Sequence, residues 1–567
     1  MIRRVSLKNF KSISNLEDLE LKPLTILCGP NAVGKSSLIQ SLLLLKQTLG
    51  GAPRGAAPRL NGPWVSLGRY GDLVYSHDET RDVGLSMEFE LQKRRKRSFE
   101  MPFAYMAQAA MIEAGFVRAP ASGYRLTVSW EFASPRDPDD EVILPQFDQA
   151  ARLPRLKRLE YRLAWVDAQN TDSRFIAGFT PQGEGWNVAY ETIGRYPDDE
   201  RDSFIASVLW DRLGPRMLYL MEDAVLGEDA DGSDDWLPFA WDFEISNYER
   251  RAMAVLLGRN VDDRDLEPEV AASLAQAASE GLASAGDEKT KRRLSYARAL
   301  RAVAALANLT TSLATETVCY LAPDRIEPAR DYPMGYDWDE VGPRGQNAVQ
   351  VYIEEQARQC EDLRPPSCER AASQDVLTVS AVVESWFEHM GLGTLEVKES
   401  TSEPFARLEL GDNRSGSSDV SIADTGFGVS QVLPIVVQGA LMTAEDTLLL
   451  EQPEVHLHPR LQMDVADLLI TLANADRCVV AETHSDHIVN RVVRRVVDGS
   501  LAPDRVALYF VSAGDDGPVF EPILIDESLG IVNWPDGFFD QGADEQEAII
   551  RASMKRRSKR DSSGKAT

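Results

Sequence analysis

A 567-residue chain has the length for three or four domains, and 43% apolar with 26% charged residues is the balance of a soluble globular protein rather than a fibrous or disordered one. The formal net charge of −28 repels nucleic acid overall, so contact with DNA or RNA would need a local basic patch. Five cysteines without metal-ligand spacing, the charged opening Met1-Ile2-Arg3-Arg4-Val5 and the lack of an apolar run of about 20 residues predict a reducing, cytoplasmic setting with no signal peptide and no membrane span.

Alternating apolar and polar residues predict a strand over Ile2 to Phe10, ending in Asn9-Phe10-Lys11-Ser12-Ile13. Leu24 to Cys28 reads as a short buried strand, and Ser37 to Leu49 as a helix dense in leucine. Between them stands Gly29-Pro30-Asn31-Ala32-Val33-Gly34-Lys35-Ser36, which fits G-x-x-x-x-G-K-[ST] with Ser37 following. Strand, glycine-rich turn and helix are the context that motif needs. The glycines turn backbone N–H groups inward to hold phosphate oxygens at the positive end of the helix dipole. Lys35 is then expected on the β- and γ-phosphates of ATP, and the Ser36 hydroxyl on Mg²⁺.

From Leu60 to Leu91 the pattern is β-like, with Trp64 to Leu67, Asp72 to Tyr75 and Val83 to Leu91 as strand material. Residues 1–95 are accordingly expected to form an N-terminal lobe containing the phosphate loop. Residues 96–318 lose every phosphate-binding feature and are expected to be a mixed, partly helical insertion. They hold strand-like pieces at Tyr124 to Phe132 and Leu159 to Val166, and a helical stripe through Tyr296, Leu300, Val303, Leu306 and Leu313. A strand returns at Val318 to Leu321, and helices are predicted over Ala348 to Cys360 and Leu377 to His389, with strands at Thr394 to Val397 and Phe405 to Leu410. Two basic patches, Lys93 to Arg97 and Lys555 to Arg560, are the candidate anionic contacts. The second lies in a tail, 546–567, expected to be disordered.

Three further motifs fall in the expected C-terminal lobe, 319–545. Asp424-Thr425-Gly426-Phe427-Gly428-Val429-Ser430-Gln431 is a glycine-rich turn entering an apolar helix that is expected to begin near Ser430. A serine there can meet a γ-phosphate with hydroxyl, N–H and dipole. Thr447-Leu448-Leu449-Leu450-Glu451-Gln452-Pro453-Glu454 is a buried strand ending in a carboxylate, which places Glu451 opposite Ser36 as a Mg²⁺ ligand. Cys478-Val479-Val480-Ala481-Glu482-Thr483-His484-Ser485 ends a strand in Thr-His-Ser, where His484 could hydrogen-bond the γ-phosphate. His456 and His458 read as structural.

Asn9-Phe10-Lys11-Ser12, the phosphate loop, Pro453 to Pro459 and Thr483-His484-Ser485 resemble the cassette-type heads of the RecF and structural-maintenance-of-chromosomes (SMC) group. Within it the chain is similar to AAA-type ATPases related to overcoming-lysogenization-defect (OLD) proteins. Tyr320-Leu321-Ala322-Pro323 with Arg325, Arg330 and Tyr332, and the closing Asn533-Trp534-Pro535-Asp536-Gly537-Phe538-Phe539-Asp540, resemble a subgroup with an uncharacterised C-terminal domain. The resemblance implies an α/β P-loop NTPase of the ABC/SMC-head type, two-lobed and split by the insertion. It also implies two ATP molecules sandwiched in a homodimer or higher oligomer, with Ser430 acting in trans. Many relatives serve prokaryotic anti-phage or toxin-like systems, which implies a protein effector encoded nearby.

Two departures from that family pattern shape the expected chemistry. Gln452 stands where most cassette ATPases carry the glutamate that polarises the attacking water, so hydrolysis is expected to be slow, with Glu454 as a possible substitute base. The Glu and Asp-x-Asp set of OLD nucleases is missing, because the acidic pair Asp515-Asp516 sits in a Gly-flanked turn that reads as a hairpin. No glutamine loop is evident, since Gln47 comes too early and Tyr75-Ser76-His77 is only a loose match. The alternatives are a nucleotide-locked scaffold with negligible turnover, a transporter ATPase subunit and a nuclease.

Overall fold

The computed structural model describes residues 1–50, 58–92, 123–134, 154–166, 172–182, 185–193, 306–335, 338, 340–366, 377–399, 404–411, 419–535, 537–539, 545–554 and 556. The basic run at 93–97 and the helical stripe before Leu306 lie outside them. The chain divides into two compact units, residues 1–21 with 37–319, and residues 22–36 with 320–567.

In the first unit, β1 (Ile2–Phe10) pairs antiparallel with β2 (Ile13–Glu20) on one side and with β4 (Val83–Gln92) on the other. The sheet continues through β5 (Gly123–Ala133), β6 (Arg155–Val166), β7 (Asp172–Gln182) and β8 (Gly185–Ile193), in the order β2-β1-β4-β5-β6-β7-β8. Strict alternation explains which face is covered: Val83, Leu85, Met87, Phe89 and Leu91 are buried along β4, as are Tyr124, Leu126, Val128, Trp130 and Phe132 along β5. These strands extend the N-terminal sheet past residue 95, where the sequence placed the start of an insertion. The inter-strand hydrogen bonds of β4 and β5 run without a break in register from Val83↔Phe132 to Gln92↔Gly123, so no boundary separates them.

Two local expectations change in this unit. Asp72 to Tyr75 is not a strand; Tyr70–Leu73 forms a one-turn helix because the Asp72 carboxylate accepts the Arg69 N–H at 2.9 Å, and a 3₁₀ turn follows at Tyr75–His77. Gln47, buried on helix α1 (Lys35–Leu49), donates to the Arg59 carbonyl at 2.5 Å and accepts the Val65 N–H at 3.1 Å, so it braces a loop.

The second unit is built on a sheet of order β19-β18-β3-β17-β16-β9, with β3 (Leu24–Cys28), β9 (Val318–Leu321), β16 (Thr447–Glu451), β17 (Cys478–Glu482), β18 (Val506–Gly514) and β19 (Gly517–Ile523). β3 runs parallel to both of its neighbours, β17 and β18. All five residues of β3 and of β17 are buried, as a strand covered on both faces requires. This corrects the expected division at 95: the strand that carries the phosphate loop belongs with the C-terminal motifs, because its hydrogen-bonding partners are β17 and β18.

Between β9 and β16 lie the short strands β10 (Tyr332–Pro333), β11 (Gln359–Cys360), β12 (Leu377–Thr378), β13 (Thr394–Glu399), β14 (Phe405–Gly411) and β15 (Val420–Ser421). There too are helices α2 (Ala348–Glu355), α3 (Val379–His389) and α4 (Phe427–Leu441). The helix expected to reach Cys360 stops at Glu355, since Gln359 and Cys360 pair antiparallel with β12. Helix α5 (Pro459–Asn474) follows β16, and α6 (Asp486–Val497) follows β17. His458 caps α5 by accepting the Arg460 N–H at 3.3 Å, the structural role its sequence suggested. Asp467, buried on α5, receives Arg491 and Arg495 of α6 at 2.8–2.9 Å and ties the two helices together.

β18 and β19 form a hairpin in which Gly514 pairs with Gly517, so Asp515-Asp516 is the two-residue turn the sequence indicated. Asn533 of the closing motif accepts the Leu524 N–H at 2.5 Å and donates to the Pro522 carbonyl at 2.8 Å. Phe538 is buried edge-on to Phe510 of β18, with ring centroids 5.6 Å apart. Residues 545–554 and 556 are helical, which overturns the expected disorder of the tail at those positions; the stretch holds no Gly or Pro, and Glu547 receives Arg551 one turn on at 2.6 Å. The rest of the basic cluster, at 555 and 557–560, lies outside the described residues. No helix among the described residues is long and apolar enough to cross a membrane.

Candidate functional site

The turn after β3 is shaped by three residues in the left-handed region: Gly29 (φ 140°), Ala32 (φ 61°) and Gly34 (φ 108°). Such a sequence of turns aims successive N–H groups into one concavity, which suits an anion. Gly29 is required twice over, by its φ and because a Cβ there would stand 2.1 Å from the Val511 carbonyl oxygen of β18. Lys35 is 3% exposed, and its ammonium donates to the carbonyls of Gly29 at 3.1 Å and Pro30 at 2.6 Å. Burial pulls its pKa down, and the charge of Glu482 opposes that pull. Ser36 donates to Glu482 Oε2 at 2.7 Å, while Glu482 Oε1 lies 3.8 Å from Lys35 Nζ.

β16 and β17 are parallel and in register, so Glu451 and Glu482 stand opposite each other at the carboxyl ends of adjacent strands. Registered partners point to the same face about 4.8 Å apart, so these two carboxylates are forced together. Burial first, and the Glu482 charge second, push the Glu451 carboxyl up to about 7. Tyr320 at the end of β9 opposes that shift by donating its hydroxyl to Glu451 Oε1 at 3.1 Å. Arg325, buried, donates Nη2 to the Glu451 carbonyl at 3.0 Å and Nη1 to Gln431 Oε1 at 3.4 Å. Burial draws its guanidinium down to about 10.

The turn leaving β16 starts at Gln452, held at φ 41° by donating its N–H to the Glu482 carbonyl at 2.7 Å. Its side chain is half-buried. Glu454 is fully used by the next segment, accepting Thr483 Oγ1 at 2.8 Å and the His484 N–H at 2.6 Å. It therefore fixes the start of the Thr-His-Ser turn. His484 is half-buried and hydrogen-bonded to the backbone of Gly29; burial first, then the Lys35 charge, lower its pKa and favour the neutral ring. Ser485 caps α6 by accepting the Ile488 N–H at 3.2 Å.

Gly29 to Ser36, Glu451, Gln452, Glu454 and His484 are thus brought to one end of one sheet. Ser37 falls in the other unit, where its hydroxyl lies 3.2 Å from that of Ser12, and Lys11 donates to Gln40 of the same helix at 2.7 Å. Asn9-Phe10-Lys11-Ser12 therefore grips the helix that follows the phosphate loop. Ser430 is placed differently from expectation. Helix α4 starts at Phe427 with Gly426 as its N-cap, so Ser430 is the fourth helical residue and 5% exposed. The exposed position of that turn is Gly426. Just before it, Asp424 receives both terminal nitrogens of Arg330 at 2.7 and 2.5 Å. Glu482, Tyr320 and Arg325 were not assigned roles from sequence. A signal existed for Glu482, which ends a five-residue apolar strand just as Glu451 does.

Residues 1–116 and 377–489 match the AAA ATPase domain family. Residues 501–548 match a family of proteins of unknown function, DUF3696, and no curated protein matches the chain. Among solved structures it is similar to an SmcHead bound to the C-winged helix domain of ScpA, at 12% identity and a TM-score of 0.31, over 93% of this chain and 99% of that one. It is similar to an Smc head domain derived from Pyrococcus furiosus, at 13% identity and a TM-score of 0.32, over 93% of this chain and 97% of that one. It is also similar to the SMC head domain from Thermotoga maritima, at 8% identity and a TM-score of 0.31, over 92% of this chain and 98% of that one. The loop geometry, the strand order and the matched ATPase domain, rather than these low-scoring likenesses, define the fold. It is a mixed α/β fold in which a phosphate loop joins a buried parallel strand to a helix, with a predominantly antiparallel first unit and a parallel-sheet second unit.

Proposed function

We propose that this chain is an ATP-dependent molecular switch: it binds ATP with Mg²⁺, closes on it as a homodimer, hydrolyses it slowly, and passes the closed state to a protein effector. The observation that carries this reading is the convergence of Lys35, Ser36, Glu451 and His484 on the concave turn after β3. The anion-receiving loop takes the triphosphate, Lys35 turns from the Gly29 and Pro30 carbonyls to the β- and γ-phosphates, and neutral His484 offers a hydrogen bond to the γ-phosphate. The donor set suits Mg²⁺, being a hydroxyl and two carboxylates, with burial first and the Glu482 charge second pushing Glu451 up to about 7. Ser36 and Glu451 would hold the ion, which would supply charge neutralisation along the phosphates. Gln452 orients the attacking water as an amide and is a poor base, hence slow turnover.

In the dimer, the turn from Thr425 to Ser430 faces the γ-phosphate bound by the partner subunit. The resemblance of the motifs to those of OLD-related ATPases favours a prokaryotic anti-phage setting, and genes neighbouring this one would identify the effector. Phosphate release in the presence of Mg²⁺, compared between wild type and Lys35→Ala, tests the core of the reading; equal release by the two would overturn it. A second reading, a scaffold that holds ATP without turning it over, is favoured by Gln452 alone. It would be correct if a tight ATP complex formed and no phosphate were released.

A further inference from the structure

The phosphate loop's lysine and serine both face a carboxylate that its motif leaves without a role. Glu482 is 4% exposed, receives the Ser36 hydroxyl at 2.7 Å and lies 3.8 Å from Lys35 Nζ. Its register partner across the sheet is Glu451, and its own carbonyl fixes the Gln452 N–H at 2.7 Å. A simple ion pair with Lys35 would be the plainest account of Glu482. Yet the short hydrogen bonds of Lys35 go to the Gly29 and Pro30 carbonyls. Arg325 in turn bonds the backbone carbonyl of Glu451 rather than its carboxylate, and Tyr320 brings a dipole without charge. A buried carboxylate and a half-buried one side by side therefore share one ammonium, and withdrawing like charge from water is unfavourable unless a cation compensates it. Two carboxylates and a hydroxyl are hard oxygen donors, which is what a small divalent ion takes.

We propose that Glu482 is a ligand of the divalent cation, so that Glu451, Glu482 and Ser36 hold Mg²⁺ or Mn²⁺ before nucleotide arrives. The inference rests on the reading above in which Ser36 and Glu451 face the cation, and adds a ligand from the strand that precedes the Thr-His-Ser turn. It has a functional corollary. A cation held by both β16 and β17 links Gln452 and His484 to one ion, because Gln452 follows β16 directly and His484 lies two residues beyond the end of β17.

The test is Mn²⁺ titration of the full, nucleotide-free chain, followed by the electron paramagnetic resonance signal of free Mn²⁺. In parallel, binding of a fluorescent ATP analogue is measured in excess EDTA, which reports the phosphate loop without the cation. Wild type should take up one Mn²⁺ per chain, and Glu482→Gln should weaken that uptake by at least about tenfold while analogue binding in EDTA is retained. Glu482→Asp, which keeps the charge but withdraws it, should fall between the two and serves if the glutamine variant does not fold. Uptake by Glu482→Gln or Glu482→Asp equal to wild type would overturn the proposal, as would a wild type that takes no Mn²⁺ without nucleotide. Loss of analogue binding in EDTA together with Mn²⁺ uptake would reduce Glu482 to a support for Lys35 and overturn it too. Wild type that binds Mn²⁺ but no ATP analogue would instead sink the nucleotide reading and leave the cation site standing.

Discussion

Tyr320 donates its hydroxyl to Glu451 Oε1 at 3.1 Å, so a residue at the end of the edge strand β9 stabilises the ionised form of the carboxylate that ends β16. Burial and Glu482 work against it and hold Glu451 at about 7. The folded chain thus keeps this proton more tightly than the unfolded chain, whose carboxyl titrates at its ordinary value of 4.5. The sign follows: in cation-free protein, stability attributable to Glu451 is present below about pH 4.5 and is lost as pH rises to about 7, by at most about 3 kcal/mol at 1.36 kcal/mol per pH unit. Urea unfolding in EDTA from pH 5 to 8 should show wild type losing ground to Glu451→Gln across that window. Parallel curves would mean the carboxyl is not perturbed. In the same terms Tyr320→Phe should move the acid limb of Mg²⁺-dependent ATPase activity to higher pH, which a pH–rate profile measures.

Gln452 and Glu454 compete for the role of base, and their hydrogen bonds separate them. Glu454 already serves Thr483 Oγ1 and the His484 N–H, whereas the Gln452 side chain is half-buried at the turn. Gln452→Glu should therefore raise steady-state phosphate release about tenfold, equivalent to about 1.4 kcal/mol of barrier. Glu454→Gln cannot accept both donors, and should cost about 1–3 kcal/mol of stability measured by denaturant unfolding. If Gln452→Glu left the rate unchanged while Glu454→Gln abolished it in a folded protein, the roles would be reversed.

Gly426 offers a cleaner probe of the proposed dimer closure than the buried Ser430. It is exposed, at φ −63°, and a Cβ there would meet nothing within 4 Å, so the chain tolerates a side chain at that point. Wild type should double in mass by light scattering when ATP is added; Gly426→Arg should bind ATP with unchanged affinity yet stay at its starting mass. An arginine variant that still doubles would remove this turn from the interface.

Gly29 tolerates nothing larger. Gly29→Ala places a methyl 2.1 Å from the Val511 carbonyl oxygen at a φ of 140°, and should lower stability by about 2–4 kcal/mol and abolish ATP binding. Calorimetric unfolding and isothermal titration on the same preparation check both halves.

Much of the site was legible because it is written in contiguous motifs. Lys35 and Ser36 start a helix, Glu451 ends a short apolar strand and His484 lies in the turn just after another, where periodicity and glycine placement are local signals. Glu482 was legible only as a carboxylate ending an apolar strand; its pairing with Glu451 is a matter of register between β16 and β17, which no linear spacing records. The division of the chain was misread for the same reason: β3 lies near the N-terminus in sequence, yet its hydrogen bonds go to β17 and β18. Asp72 to Tyr75 has strand composition, but one carboxylate capping one N–H decides for a helical turn. The start of α4 was placed three residues late because Gly428 looked like part of the turn, while Gly426 supplies the cap.

The closeness of Gly29 to Val511 also bears on how this protein can be dissected or recombined. The segment matching a family of unknown function begins at residue 501, and it supplies β18, hydrogen-bonded to the very strand that launches the phosphate loop. A cut after the ATPase-matched residues would leave β3 with an open edge and the loop without its floor. Swapping the C-terminal segment would likewise exchange the floor beneath Gly29, so the two matched segments are one structural piece at this loop.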